Sequence, residues 1–501
     1  MTGTSAFIDH FRAALRIKTD WPASAGGGVN FDGINFDSAK ISDAKVDGTD
    51  VVDPAATMPA EAPAVMPLLR FQEFLVQTYP AFHKAAERWV LSPYSVVYRW
   101  PGTAAGAVSG NAVFGAAAIN TGGNSVPDPL LLLAHYDVVP AETAKWTVDP
   151  FGAELKDGYV YGRGALDMKS ITMAIMESAE LLCKQGFAPR RDVWIALGGD
   201  EERTGISGAQ KTARWFLEKN LRFSFILDEG TPVAVGQLKG VDKPLALVGI
   251  EEKGYVSVDL TVEQKPGHAS QPAEQQAAAV LARALLRLSR RPFPWRLTPA
   301  VEAFFRQLSP HARGITGFVM RHARLLGPLF FKAAAVSPAT RALLRTTLAM
   351  TQLEGSAADN VMPSVVRAVL NLRLLPPWTV GTAIERLKAL IADSRVNVTV
   401  HGFASNPVEA GPGQTAMTSP GWNEINAALE TAFPAVPALP FLMLATTDSR
   451  HYQEFSRNIF RFSPQLLDQA ELSRIHGHDE RISLDNLNRC LAFYTALLQQ
   501  L

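Results

Sequence analysis

Cysteine is nearly absent. The 501-residue chain holds two, Cys183 and Cys490, each in an apolar stretch of helical character. That excludes a disulfide framework and a thiolate metal cage, and buried free thiols are expected. Long apolar runs are lacking as well: none approaches the roughly 18 residues of a membrane-spanning helix. The opening segment, MTGTSAFIDHFRAALRIKTD, has no basic region followed by an apolar run. It reads as an amphipathic helix and not as a secretory signal. Net charge is missing too, since 48 Lys+Arg balance 48 Asp+Glu. The total gives no electrostatic reason to expect nucleic acid or an anionic membrane as partner. A cytoplasmic protein is the default expectation.

What is present is a large apolar fraction, 47% of residues. With this length it calls for more than one core. Residues 21–62 are rich in Gly, Asp, Ala, Ser and Pro without periodicity and read as an irregular insertion. A helix is expected from about Pro63 through LLRFQEFLVQTYP. Strand-like runs follow (SVVYRW, AVFGAAAI, LLLLA, VWIALGG, FSFILDE), with helical segments such as MKSITMAIMESAELLCKQG and GAQKTARWFLEKN after the later ones. Such alternation predicts an α/β domain with a mainly parallel sheet covered by helices. From about 247 the pattern changes to alternating β-branched stretches around a long helix, PAEQQAAAVLARALLRLSRR. The expected organisation is one domain from 1–246 and 410–501, interrupted by an α+β module at 247–409. That module carries an extra helical insertion near 297–350.

Metal-binding side chains recur where apolar strands end. LLLLAHYDVVP supplies His135 and Asp137, YGRGALDMK supplies Asp167, ALGGDEE supplies Asp200, Glu201 and Glu202, and FILDEG supplies Asp228 and Glu229. SRIHGHDE adds His476 and His478 late in the chain. Imidazoles and carboxylates without thiolates suit a hard-to-borderline two-metal hydrolase centre. His135 is the ligand candidate, and Asp137 is placed to hold the ring's other nitrogen. Asp167 follows a glycine-rich turn; taken alone it would equally serve as a helix N-cap. Three consecutive carboxylates at 200–202 repel one another unless cations neutralise them. Their side chains diverge, so Glu202 is assigned as ligand and Glu201 as general base. Either Asp228 or Glu229 could ligate, and Asp228 is preferred because it directly ends the apolar run. Of His476 and His478, one faces a metal.

HYDVVP, YGRGALDMK, GGDEE, LDEG, PGHAS and IHG together resemble the zinc metallopeptidase family of carboxypeptidase S, aminoacylase-1, glutamate carboxypeptidase and succinyl-diaminopimelate desuccinylase. The resemblance runs from about residue 60 to 501. TTDSRHY and NVMPSVVRAVLNLRLLP lean toward its carboxypeptidase S and N-acyl-amino-acid hydrolase branch. The resemblance implies two zinc ions, with Co2+ or Mn2+ as possible substitutes, bridged by Asp167. His135 and Asp228 would complete one site, Glu202 and His476 the other, and Glu201 would be the base. It implies that the inserted module is a ferredoxin-like lid that also forms a homodimer. His268 would support the oxyanion. Asn360, Arg373 and Arg450 would hold the substrate. The 21–62 loop and the 297–350 insertion have no counterpart in the family pattern.

The expected activity is hydrolysis of an amide next to a free carboxylate, in a short peptide or an N-acyl amino acid. A bidentate guanidinium suits that carboxylate. Rival readings are a small-metabolite deacylase or desuccinylase on the same scaffold and a zinc-binding homologue without catalysis.

Overall fold

The computed structural model describes residues 2–21, 62–104, 128–237, 240–290, 293–334 and 337–501. The irregular stretch expected at 21–62 and the strand expected over AVFGAAAI lie almost entirely or wholly outside these residues. The chain divides into two compact units: Met1–Val248 with Gly411–Leu439 and Thr447–Leu501, and Gly249–Ala410 with Pro440–Thr446.

The first unit is built on a sheet whose middle is parallel. In spatial order its strands are Glu87–Ser92, Ser95–Trp100, Val193–Gly198, Leu130–His135, Phe225–Ala234 and Ile459–Leu467, followed by Leu245–Glu252 and Ala438–Met443, whose last residues belong to the second unit. Leu130–His135 runs parallel to both Val193–Gly198 and Phe225–Ala234, and Ile459–Leu467 runs parallel to Phe225–Ala234. Leu130–His135 and Val193–Gly198 are buried at every position, which explains their continuous apolar sequence: a strand with helices on both faces has no polar side. Leu131, Leu133, Trp194 and Ala196 pack with Phe216 from the helix Ala209–Glu218. Truncating one such leucine to alanine typically costs about 2–5 kcal/mol. The helix Lys169–Lys184, buried along nearly its whole length, packs on the same strand system and against the last helix, Leu484–Gln499. The N-terminal segment forms a helix, Thr2–Arg16, that buries Phe7, Phe11, Ala14 and Leu15. Buried Lys169 holds its end through Nζ, which donates to the carbonyls of Ala14 and Ile17.

The second unit is α+β. Its antiparallel sheet has the order Thr347–Glu354, Val365–Leu374, Gly254–Glu263, Val396–Ser405. The helices Ala277–Arg290 and Val380–Ile391 bury their apolar sides on one face of it. Alternate residues Val256, Val258, Leu260 and Val262 point into that core, as period-two patterning requires. The chain order β-α-β-β-α-β with the first strand central is the ferredoxin-like arrangement. Four helices, from Pro299–Leu308 to Pro338–Leu344, precede the edge strand Thr347–Glu354. The helical insertion therefore ends before the residue 350 read from sequence.

Candidate metal centre

His135 closes the strand Leu130–His135 and is buried. Its Nε2 lies 3.0 Å from Asp167 Oδ1 and 3.3 Å from Glu229 Oε1. Asp167 presents its other oxygen elsewhere: Oδ2 is 3.0 Å from His476 Nε2, which in turn lies 3.1 Å from Glu202 Oε1. Two sets of three donors result, His135–Asp167–Glu229 and Asp167–Glu202–His476, each with its ligand atoms within 4.8 Å of one another. One carboxylate is common to both. Ligand atoms each about 2.0–2.2 Å from a zinc ion sit about 3–3.5 Å apart, so these separations fit a pair of ions bridged by Asp167. The nitrogen and oxygen donors suit zinc, cobalt or manganese.

The electrostatics point the same way. Burial alone would lower the pKa of His135, but Glu229, Asp137 and Asp167 drive it well above the usual histidine range. Hydrogen bonds to Asp167 and Glu202 push His476 up to about 10. Glu229 is pushed up to about 8 by burial and by the charge of Asp167. Glu201 is raised well above the carboxylate range by burial, with Asp448, Glu229 and Glu202 adding to the rise against His135. This many acids around two imidazoles are short of positive charge, and divalent cations would supply it.

The turn holding Asp167 is tied down by a residue not picked out in the sequence. Glu480 is fully buried; its Oε1 accepts from the N–H of Leu166 (2.7 Å) and of Asp167 (3.2 Å), and its Oε2 from Gly164 N–H and from Arg163 Nη1 (2.6 Å). Gly164 has φ 84°, the left-handed region glycine enters without a steric cost. Arg163 Nη2 also donates to the carbonyl of Gly477 at 2.9 Å. The Arg163–Glu480 pair thus joins the Asp167 turn to the His476 loop. The signal was present, because Glu480 lies inside the HGHDE string. Asp167 caps no helix, since the next one opens at Lys169 after Met168.

Asp137 organises the other side. Its Oδ1 is 3.4 Å from His135 Nδ1, although the ring's shorter contact, 3.1 Å, is to the Asp137 main-chain oxygen. The same carboxylate accepts from the N–H groups of Glu201 and Glu202, both at 3.2 Å, and from Trp21 Nε1 at 3.0 Å. The three consecutive acids separate as their spacing requires. Asp200 is buried and accepts from Ser207 N–H, Glu202 turns to His476, and Glu201 lies outside both donor sets.

Two expectations meet a different geometry. Glu229, not Asp228, reaches the cluster. The strand does not end at Asp228 but continues to Ala234, and its pairing with Ile459–Leu467 jumps from Asp228↔Arg461 to Thr231↔Phe462. That bulge breaks the alternation and re-aims Glu229. Asp228 instead accepts from Ser449 N–H at 2.8 Å. Of the two exposed histidines, His476 and His478, His476 is the one in a donor set, as expected. Arg450, expected to bind a substrate carboxylate, is buried. Its guanidinium donates to the carbonyls of Thr447 (2.6 Å) and Thr204 (2.8 Å) and lies 3.8 Å from Glu201. These bonds hold it beside Glu201 and away from solvent.

The remaining expected residues lie in the second unit. His268 is exposed on the two-stranded pairing Gly267–His268 with Val361–Met362, and Ala269 N–H donates to the Asn360 carbonyl at 3.0 Å. Arg373 stacks over Tyr255, 4.8 Å from the ring centroid.

Known proteins provide the context for this geometry. Residues 131–500 match the model of peptidase family M20/M25/M40. N-fatty-acyl-amino acid synthase/hydrolase PM20D1 of Xenopus tropicalis is 37% identical over 372 residues, 74% of this chain and 72% of that protein. Probable carboxypeptidase S-like 2 of Dictyostelium discoideum is 34% identical over 434 residues, 86% of this chain and 79% of that one. Human carnosine dipeptidase 1 has a similar fold, with TM-score 0.60 at 14% identity, covering 100% of this chain and 97% of that structure. The two-unit architecture, the sequence match along three-quarters of the chain and the relatives agree: the chain belongs to peptidase family M20/M25/M40.

Proposed function

We propose that this chain hydrolyses an amide bond next to a free carboxylate, in an N-acyl amino acid or at the C-terminus of a short peptide, using two divalent metal ions. The observation that carries the reading is the pair of donor sets sharing Asp167, with Glu201 beside them and bound to neither. His135, Asp167 and Glu229 would hold one ion, and Asp167, Glu202 and His476 the other. Zinc is the metal proposed, with Co2+ or Mn2+ as substitutes. When bound, the ions would polarise the scissile carbonyl and bring the pKa of a water to roughly 7. Glu201 would take a proton from the attacking water and pass it to the leaving amine. Arg450 and Asp137 position Glu201, one through its charge and the other through the Glu201 N–H.

The second unit acts as a lid in this reading. His268 would support the oxyanion, and Asn360 and Arg373 would hold the substrate's polar groups. The pairing of the His268 segment with the Asn360 loop supports their acting together. Dimerisation through this unit is part of the proposal, and so is a cytoplasmic location, favoured by the free thiols of Cys183 and Cys490. The relatives named for N-fatty-acyl amino acids and for carboxypeptidase activity set the substrates to compare.

The test is a hydrolysis screen on zinc-loaded protein with N-acetyl, long-chain N-acyl and dipeptide substrates, each beside its C-terminal amide twin. Cleavage of the acids alone is expected. Equal cleavage of both removes Arg373 and Asn360 from carboxylate recognition. Glu201→Gln should retain its metal and lose roughly 10²–10⁴-fold in kcat; loss of metal in that variant would make Glu201 a ligand.

A further inference from the structure

The chain's overall neutrality hides one segment of a single sign. From Ala303 to Leu353 there is no Asp or Glu, while seven residues are Arg or Lys. Within it lie the helix Ile315–Arg321 and the helical stretch Ala323–Ala334, which is kinked at Gly327 between Leu325 and Leu329. One side of these helices is packed. Gly317, Ala323 and Phe330 are buried, Phe330 meets Phe305 at 5.0 Å, and Phe331 stacks on Trp295 at 5.8 Å. The other side carries Ile315, Phe318, Leu325 and Leu329, which are 78%, 59%, 83% and 64% exposed. Arg313, Arg321 and Lys332 are exposed among them, as is Arg324, whose guanidinium lies 3.6 Å from Glu302 just before the segment.

Scattered exposed leucines need no explanation, but four large apolar side chains on two adjoining helices, ringed by cations, do. A surface helix that is apolar outward and basic at its flanks fits the boundary between lipid headgroups and acyl chains. We propose that this insertion docks the protein on an anionic lipid surface. Ile315, Phe318, Leu325 and Leu329 would enter the acyl boundary, and the surrounding Arg and Lys would meet headgroup phosphates and carboxylates. The zero net charge is no objection. Charges beyond about 8 Å are screened at physiological ionic strength, so a surface responds to this segment and not to the chain's total. A second copy is the poorer occupant, because apposing two such faces would bring like charges together. Docking of this kind needs no spanning helix, and among the described residues none is long and apolar enough to be one.

The inference concerns binding alone and holds whether or not the chain hydrolyses amides. The full chain is floated with phosphatidylcholine vesicles with and without phosphatidylserine, at low and high salt. Binding is expected only with phosphatidylserine and should weaken as salt rises. Arg321→Ala and Lys332→Ala should each weaken it about fivefold. Phe318→Ser combined with Leu325→Ser should abolish it while leaving thermal unfolding unchanged, since both side chains stand in solvent. Failure of the wild type to float with phosphatidylserine overturns the proposal, as does equal binding by the apolar double variant. A concentration-dependent dimer that Phe318→Ser disrupts would give this face to a second copy and overturn it as well.

Discussion

Asp167 faces two histidines in unlike surroundings. His135 ends a buried strand and is 1% exposed, whereas the His476 side chain is 50% exposed on a loop. The donor types are nearly the same: one imidazole and one further carboxylate on each side of the shared aspartate. What differs is the scaffold. Apart from the shared Asp167 turn, the His135 set takes its donors from sheet strands, His135 and Glu229, while the His476 set adds a donor from a loop joined to that turn through Arg163 and Glu480. A site built on strands is preorganised, and one built on a loop can admit water and substrate. The buried set should hold its ion more tenaciously, and the open set should exchange.

The largest effect should come from removing what the two sets share. Asp167→Ala is expected to abolish binding of both ions and to reduce turnover by more than the roughly 10²–10⁴-fold cost of a lost proton-transfer group. Metal analysis of the purified variant checks this. Retention of one full equivalent would show that the sets are independent and that Asp167 bridges nothing.

The two sets should then separate under single substitutions. Glu229→Ala is expected to empty the buried set, and His476→Ala the open one, each leaving one equivalent. In His476→Ala the remaining ion should resist brief chelation; in Glu229→Ala it should be stripped. Asp228→Ala is the control. It removes the acceptor for Ser449 N–H and should retain more metal than Glu229→Ala. If Asp228→Ala loses metal and Glu229→Ala does not, the ligand expected from sequence is restored.

That control marks where the sequence stops being informative. Apolar runs revealed the parallel sheet and pointed to His135 and Glu202 at strand ends, because buried strands and their ends leave a compositional trace, whereas Asp167 and His476 were singled out through the motif resemblance. Asp228 and Glu229 could not be separated, since the bulge after Asp228 is a property of pairing with Ile459–Leu467, more than two hundred residues on. Arg450 looked like a carboxylate clamp because a guanidinium binds a planar carboxylate bidentately. Nothing local says that the carbonyls of Thr447 and Thr204 take its donors. Glu480 was passed over beside two histidines, although its backbone acceptor role could be seen only once the Asp167 turn was folded against it. The helical insertion was visible as an apolar, arginine-bearing run, but which of its side chains face outward was not.

A smaller effect tests the loop-built side of the comparison. Glu480→Gln keeps the size of the side chain but removes the charge that binds Arg163 and the acceptor for one or more N–H groups. Residues supporting a ligand in this way typically contribute 10–100-fold in metal affinity or activity. Affinity should fall by that amount at both sets, because the turn that Glu480 ties down carries Asp167, which both share. Loss confined to the open set would mean that Glu480 acts through Arg163 on the His476 loop and not through the Asp167 turn.

The smallest effect contrasts the cluster with a buried acid outside it. Glu251, in the second unit, has Thr298 Oγ1 as donor at 2.8 Å and is pushed up to about 7 by burial. Its folded pKa lies above its unfolded value of 4.5. The stability it contributes is therefore fully present below about pH 4.5 and is lost as pH rises through 7. The gap between the two pKa values corresponds to at most about 3 kcal/mol. Lys253, two residues on, is pushed down to about 7 by burial, with Nζ donating to the carbonyls of Ala342 and Arg345. Its contribution is present above about 10.5 and lost as pH falls to 7, so below 7 it adds no slope. Any loss of stability between pH 5 and 7 that Glu251→Gln removes thus belongs to Glu251. Chemical unfolding at the two pH values should show the difference between wild type and variant narrowing by roughly 2 kcal/mol toward the variant at pH 7. Added zinc should not alter that difference, because Glu251 belongs to neither donor set. Zinc dependence would show that the carboxylate is coupled to the metal centre after all.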